Sequence, residues 1–424
     1  MQRCRGRIHS PCMGVLILFS LVTHAQAQTV HRFVASISPA QNIPPSAGSN
    51  ALGAGAFVVD TDANTFSYRI VIGGLSSAET IAAIHLSPPG VENSSSLATI
   101  ALGPVKVGTW TYPEAREADI LAGNIYIDIH SANFPGGEAR GQVQTHAAQL
   151  DGAQAVPPTA STATGWGTFM IDTSANTLRY YIVTTDVSGE TAAHIRGPAA
   201  HALAGPILHT LPAGSIKSGT WTYPQVRERD LLRGLMYVNI ETASHPTGDI
   251  RGQIVNCVVP IDGQQESPPV SSMGIGVGLV SLGDASDTLT YDVRYSPLSS
   301  AETAAHIHGF APRGMSAAVV HPLALGSRKL GSWNYPAADE SLVQSGLAYF
   351  NIHTMTNGGG EIRGQIEFPP VPCAGDYNGD GSVSSPDFFE FLTGFFVSDA
   401  DFNGDGATNS QDFFDFLGAF FEAC

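Results

Sequence analysis

The sequence predicts a mainly β protein: three tandem antiparallel β-sandwich domains followed by a small α-helical C-terminal module. Three observations carry that expectation. The chain repeats itself with a period of about 111–112 residues, apolar residues inside each repeat alternate with period two, and the composition changes abruptly over the last 52 residues. The 424 residues include 46 Gly and 27 Pro but only 13% charged residues, the mark of many short strands joined by tight turns. The net charge of −17 argues against a nucleic-acid binder, which needs clustered Lys and Arg to meet phosphates.

The first 27 residues read as an export signal. Arg3, Arg5 and Arg7 precede an apolar run from Met13 to Val22, and Ala25-Gln26-Ala27 supplies a small-residue cleavage site, so cleavage is expected after Ala27. Ten apolar residues are too few to span a bilayer, and no later stretch is long and apolar enough to do so; the mature chain is expected to be secreted or surface-attached.

The three copies follow, with expected boundaries 28–146, 147–257 and 258–370. The phrase Gly108-Thr109-Trp110-Thr111-Tyr112-Pro113 returns as Gly219-Thr220-Trp221-Thr222-Tyr223-Pro224 and as Gly331-Ser332-Trp333-Asn334-Tyr335-Pro336. The pairs Glu190/Glu302, His194/His306, Trp221/Trp333 and Arg251/Arg363 all share a 112-residue offset, so whole domains were duplicated. Ala56–Asp60 and Phe66–Ile72 flank a turn at Asp62-Ala63-Asn64, which predicts a β-hairpin. Each Trp-x-Tyr-Pro opens a ten-residue stretch ending in Gly, the punctuation of a short helix, with Leu231 and Leu232 facing the core in copy two. The alternating Trp and Tyr are expected in the core rather than on a carbohydrate platform.

The third copy collects the most specific phrases: Ala305-His306-Ile307-His308-Gly309, Tyr349-Phe350-Asn351-Ile352-His353-Thr354, and Gly360-Glu361-Ile362-Arg363-Gly364-Gln365. These resemble the CHRD (chordin-type) domain, and the resemblance covers residues 31–370. It implies extracellular, immunoglobulin-like β modules.

His306 and His308, two apart on a strand, share a face. With His353 on a neighbouring strand they are candidate ligands for Cu or Zn, and His321 is a candidate fourth. Copy one has Ala83, His85 and His130 at the three positions, and copy two has His194, Arg196 and Glu241. Those gaps favour hydrogen-bonding side chains on a half-buried sheet face over a metal-dependent oxidoreductase. Arg140, Arg251 and Arg363 each follow an acid by two positions, and an ion pair or a fork onto backbone carbonyls is expected of them. No catalytic set recurs.

From Cys373 onward there are ten acids, eleven of the 20 Phe and no Lys or Arg. Two loops 25 residues apart carry calcium-ligand spacing. Asp376, Asn378, Asp380, Ser382 and Asp387 form the first set; Asp401, Asn403, Asp405, Ala407 and Asp412 form the second. A Phe-rich helix follows each loop, so residues 373–424 read as a two-calcium module. Cys373 and Cys424 are expected to form a disulfide, leaving Cys257; a pairing through Cys257 is the alternative. The duplicated loop with Asp at position 12 resembles the type I dockerin, an EF-hand-like module. That resemblance implies docking to a protein partner, cohesin-like or a cell-surface receptor, and membership of an extracellular assembly such as a polysaccharide-degrading one.

The expectation is therefore a secreted, non-catalytic binding or structural protein with a calcium-loaded anchor.

Overall fold

The computed structural model describes residues 30–93, 95–224, 227–283, 287–369, 375–377, 382–397, 400, 402 and 408–421. The expected signal segment and cleavage site, Cys373, Cys424, Asn378, Asp380, Asp401, Asn403, Asp405 and Ala407 lie outside the described residues.

Alternation decides the first copy. Its strands are β1 (Val30–Ile37), β2 (Leu52–Asp60), β3 (Thr65–Gly73), β4 (Glu79–Leu86), β5 (Ser96–Thr99), β6 (Val105–Thr111), β7 (Ile125–Ser131) and β8 (Ala139–Val143). They form two four-stranded sheets ordered β1-β2-β3-β6 and β5-β4-β7-β8. Phe33, Ala35 and Ile37 point between the sheets and meet Ile84, Ile127 and Ile129. The β2–β3 hairpin turns at Asn64, whose φ of 52° is the left-handed conformation that Asn tolerates. Bridges Val34↔Gln144 and Ser38↔Arg140 tie the two sheets along one edge. Copies two and three repeat the order, but there all eight strands form one sheet folded on itself, joined at Arg251↔Asp151 and Arg363↔Asp262.

The segment after Trp-x-Tyr-Pro is shorter as an α-helix than its punctuation implies. Pro113 stays extended, Glu114–Arg116 is a 3-10 turn, and only Glu117–Leu121 is α-helical before Gly123 at φ 69°. Tyr112 lies in the core with its hydroxyl 3.4 Å from Glu117; the equivalents Tyr223–Glu228 and Tyr335–Glu340 are 3.0 and 2.5 Å apart. Trp221 and Trp333 are buried beside them.

Each sandwich also contains a buried ion pair between its two layers. Lys106, Lys217 and Lys329 donate to Glu79, Glu190 and Glu302 at 2.6, 2.6 and 2.5 Å, and each ammonium also donates to two backbone carbonyls.

The acid before each recurring Arg has its own partners. Glu361 accepts from Ser272 Oγ at 2.7 Å, Ser299 N–H at 2.7 Å, Ser299 Oγ at 2.6 Å and Thr354 Oγ1 at 2.7 Å. Burial pushes its carboxyl up, but these donors outweigh burial and hold it down at about 2. The folded value lies below the unfolded one, so the contribution is complete above the ordinary Glu range and is lost as pH falls from about 4.5 towards 2. Urea melts of Glu361→Gln are expected to show a loss of about 1–3 kcal/mol near neutral pH and a flatter acid limb than the native chain.

The three sandwiches close into one body. Outward-facing Val34, Ala54 and Val71 of copy one, Ala147 and Val255 of copy two, and Val258, Ile275, Val277 and Leu279 of copy three form a shared apolar core. Ion pairs rim it. Arg69 reaches Asp262 at 2.7 Å, while Arg294 and Arg328 both pair with Asp151, the position equivalent to Asp262. Between copies one and two, Gln149 Nε2 donates to Ser36 Oγ at 3.0 Å and Arg179 donates to the Ala122 carbonyl.

The tail contributes helices Ser385–Phe396 and Ser410–Phe421, which pack through Phe391 and Phe416, stacked at 4.1 Å and 8°. Cys257 is buried with Sγ 3.6 Å from the Glu367 carbonyl, and burial pushes its thiol far above the usual range.

Candidate functional site

The outward face of the layer that holds the Arg-Gly-Gln strand carries the same polar apparatus in every copy. Arg140, Arg251 and Arg363 are buried, and each guanidinium forks onto backbone carbonyls of the crossing loop: Val91 and Pro88, Leu203 and Ala200, Met315 and Pro312. None pairs with the acid two residues before it; the acids accept from hydroxyls instead, Glu138 from Ser49, Asp249 from Ser161 and Glu361 from Ser272, Ser299 and Thr354. Each guanidinium also lies over a Tyr ring, at 3.7 Å for Tyr126, 3.6 Å for Tyr237 and 3.5 Å for Tyr349. On the other flank of the Tyr strand, His85 stacks on Tyr126 (5.0 Å, 19°) and His308 on Tyr349 (5.1 Å, 11°). These arginines brace the loop, as expected of them.

Copy three adds a cluster of imidazoles. Strands Glu302–His308 and Tyr349–Thr354 pair with His306 opposite Asn351, His308 opposite Tyr349 and His353 opposite Ala304. The three rings therefore meet on one face, with centroids 5.5, 5.0 and 5.7 Å apart and one nitrogen from each ring within 4.8 Å of the others. His308 Nδ1 lies 2.9 Å from the Ala317 carbonyl and His353 Nδ1 lies 3.1 Å from the Gly358 carbonyl. A carbonyl only accepts, so in both rings Nδ1 donates, which leaves Nε2 as the lone-pair nitrogen of the neutral tautomer. Both Nε2 atoms, and Nδ1 of His306, are buried with no hydrogen-bond partner. Burial first, and the neighbouring imidazoles second, push His306 below the usual histidine range; burial does the same for His308, with His353 adding to it. Burial thus favours the neutral form of His306 and His308.

His321 does not join it. In its edge strand it pairs with Ile307, which places it on the opposite, core-facing side. There it stacks on Trp333 (6.2 Å, 26°) with Nε2 3.3 Å from Tyr291 Oη. His209 repeats this contact with Trp221 and Tyr180 in copy two, so the position is structural.

The CHRD domain family matches residues 33–143, 146–254 and 258–366. The chain belongs to the CHRD family. Chordin of Xenopus laevis is 27% identical over 308 residues, which is 65% of this chain and 31% of that protein. Chordin of Danio rerio is 32% identical over 175 residues, 34% of this chain and 18% of that protein. The chain thus spans less than a third of each of these relatives.

The other two CHRD copies show what replaces the imidazole cluster. In copy one His130 has acceptors at both nitrogens, Asp128 Oδ2 at 2.9 Å and the Pro135 carbonyl at 2.8 Å; Asp128 first of all raises its pKa against burial. In copy two Arg196 pairs with Glu241 at 3.3 Å, and His194 Nδ1 lies 3.3 Å from the same oxygen. Each of these CHRD copies sets a basic side chain against its own carboxylate. Copy three has neither at the matching positions. One acid, Glu266, lies behind Asn351 at 3.4 Å from Nδ2; burial pushes it up to about 7. Glu266 was not singled out from sequence, and its only signal is that copies one and two have Asn42 and Ala155 there.

Beyond the CHRD copies, four of the positions expected to form calcium loops fall within the described residues. Asp387 and Asp412 are fully buried at the starts of their helices, where Asp387 Oδ2 accepts from Ser384 N–H at 2.8 Å and Asp412 Oδ2 from Asn409 N–H at 2.7 Å. Asp376 is buried as well, and Ser382 lies two residues before the first helix's cap at Ser384.

Proposed function

We propose that this chain is an exported, non-catalytic binding scaffold, three CHRD sandwiches displayed as one body by a calcium-loaded, dockerin-like tail. One observation carries the reading: the charged and aromatic residues that recur in all three copies serve the fold. The Arg forks brace loops, the Lys–Glu pairs bridge the two layers of each sandwich, and the Tyr–Glu contacts fix helices, which leaves the variable outer surfaces for a partner. Likeness to chordin supports an extracellular binding role, and the signal-like first 27 residues support export. No helix among the described residues is long and apolar enough to cross a membrane. Calcium at the two loops of 376–387 and 401–412 would neutralise carboxylates that otherwise repel, and the tail would then dock on a cohesin-like or cell-surface protein.

The test is cell fractionation of the full chain and of a chain ending at residue 370. The full chain is expected in the envelope fraction and is released by a calcium chelator; the shortened chain is expected in the medium. Identical distribution of both would overturn the anchor, and retention inside the cell would overturn export.

A further inference from the structure

We propose that His306, His308 and His353 form a binding site for one divalent copper or zinc ion, held by three imidazole nitrogens. This goes beyond the scaffold reading and does not depend on it. Three independent features of copy three point the same way.

The first is convergence. Strand parity puts His306 and His308 on one face, and pairing with the next strand brings His353 to them, so that one nitrogen of each ring lies within 4.8 Å of the others. The second is orientation. The Ala317 and Gly358 carbonyls take the Nδ1 protons of His308 and His353, which turns both Nε2 lone pairs away from the backbone. Metal-binding histidines are oriented by such backbone partners. The lone pairs are buried and unmatched, an arrangement a fold avoids unless something fills it. The third is the contrast between copies. Where copy one sets His130 against Asp128 and copy two sets Arg196 against Glu241, copy three brings three imidazoles together with no carboxylate or Arg at the matching positions. A bound metal ion supplies the positive charge that the other copies encode in their own side chains.

Three imidazoles without thiolate select nitrogen-loving metals, copper and zinc before calcium or magnesium. They leave the ion at least one coordination position for a group from solution or from a docked partner. This also answers the incompleteness of the other copies: they are charge-balanced variants of the same pocket, so one metal per chain is the expected stoichiometry.

The test uses the full mature chain, stripped of transition metals and kept in saturating calcium, titrated with zinc and separately with copper by calorimetry, with elemental analysis after gel filtration. One equivalent of either metal is expected. His353→Ala is expected to weaken binding by more than about 100-fold, because even outer-shell changes at such sites cost 10–100-fold. Removing a buried ring risks the fold, so the decisive variant rebuilds copy two: His308→Arg with His353→Glu. That variant is expected to melt like the native chain and bind no zinc or copper. No binding by the native chain, or one equivalent persisting in the folded double variant, would overturn the proposal.

Discussion

Replacing Lys329 by Met is expected to destabilise the chain by about 3–5 kcal/mol, the usual result of leaving one partner of a buried ion pair behind. Lys329 is almost fully enclosed, with its ammonium 2.5 Å from Glu302 and bonded to the Ala324 and Gly326 carbonyls. Glu302 also accepts from Tyr295 Oη at 2.6 Å and from Gly326 N–H at 2.7 Å. Burial alone would raise its carboxyl, but Lys329 and these donors hold it below the usual range. Loss of the ammonium leaves a buried carboxylate facing two freed carbonyls. Chemical denaturation reads the change. Breaking the exposed Arg116–Asp119 pair by Arg116→Ala is the comparison, and there a change of at most about 1 kcal/mol is expected. A loss at Lys329 no larger than that at Arg116 would show that the pair does not hold the two layers together.

Val258→Asp is expected to separate the sandwiches at a cost of about 3–5 kcal/mol, because it places an unpaired charge in the shared core. Val258 is 4% exposed, and its neighbours in that core come from all three copies. Its side chain points away from the interior of its own sandwich, where Val259 and Ile261 lie. Far-UV circular dichroism should therefore change little, while small-angle scattering should show a larger radius of gyration. A native radius in a folded variant would contradict the shared core.

Much of the fold was legible because it rests on local periodicity. The 112-residue offset located the copies, alternation located the β2–β3 hairpin, and Pro113 and Gly123 bounded the helical turn. The face shared by His306 and His308 follows from strand parity alone. What was hidden depended on register and on contacts between distant strands. His321 sits in a four-residue edge strand, where nothing in the sequence fixes which residue it opposes, and a one-residue shift would have faced it the other way. The Lys–Glu pairs join strands on opposite layers of each sandwich; their trace is a separation of 27 residues in every copy, at 79/106, 190/217 and 302/329. Closure of the three sandwiches left a fainter trace. The strand Ile275–Leu282 is buried along its whole length, so its outward Val277 and Leu279 read as ordinary strand residues rather than as a joint.

If the three CHRD copies act as one body, differential scanning calorimetry of the chain in calcium-containing buffer shows it directly. Residues 33–366 unfolding together should absorb about 230 kcal/mol in a single transition whose van't Hoff and calorimetric enthalpies agree. Three resolvable transitions, or a van't Hoff enthalpy near one third of the calorimetric value, would mean that the copies unfold independently and that the shared core does not couple them.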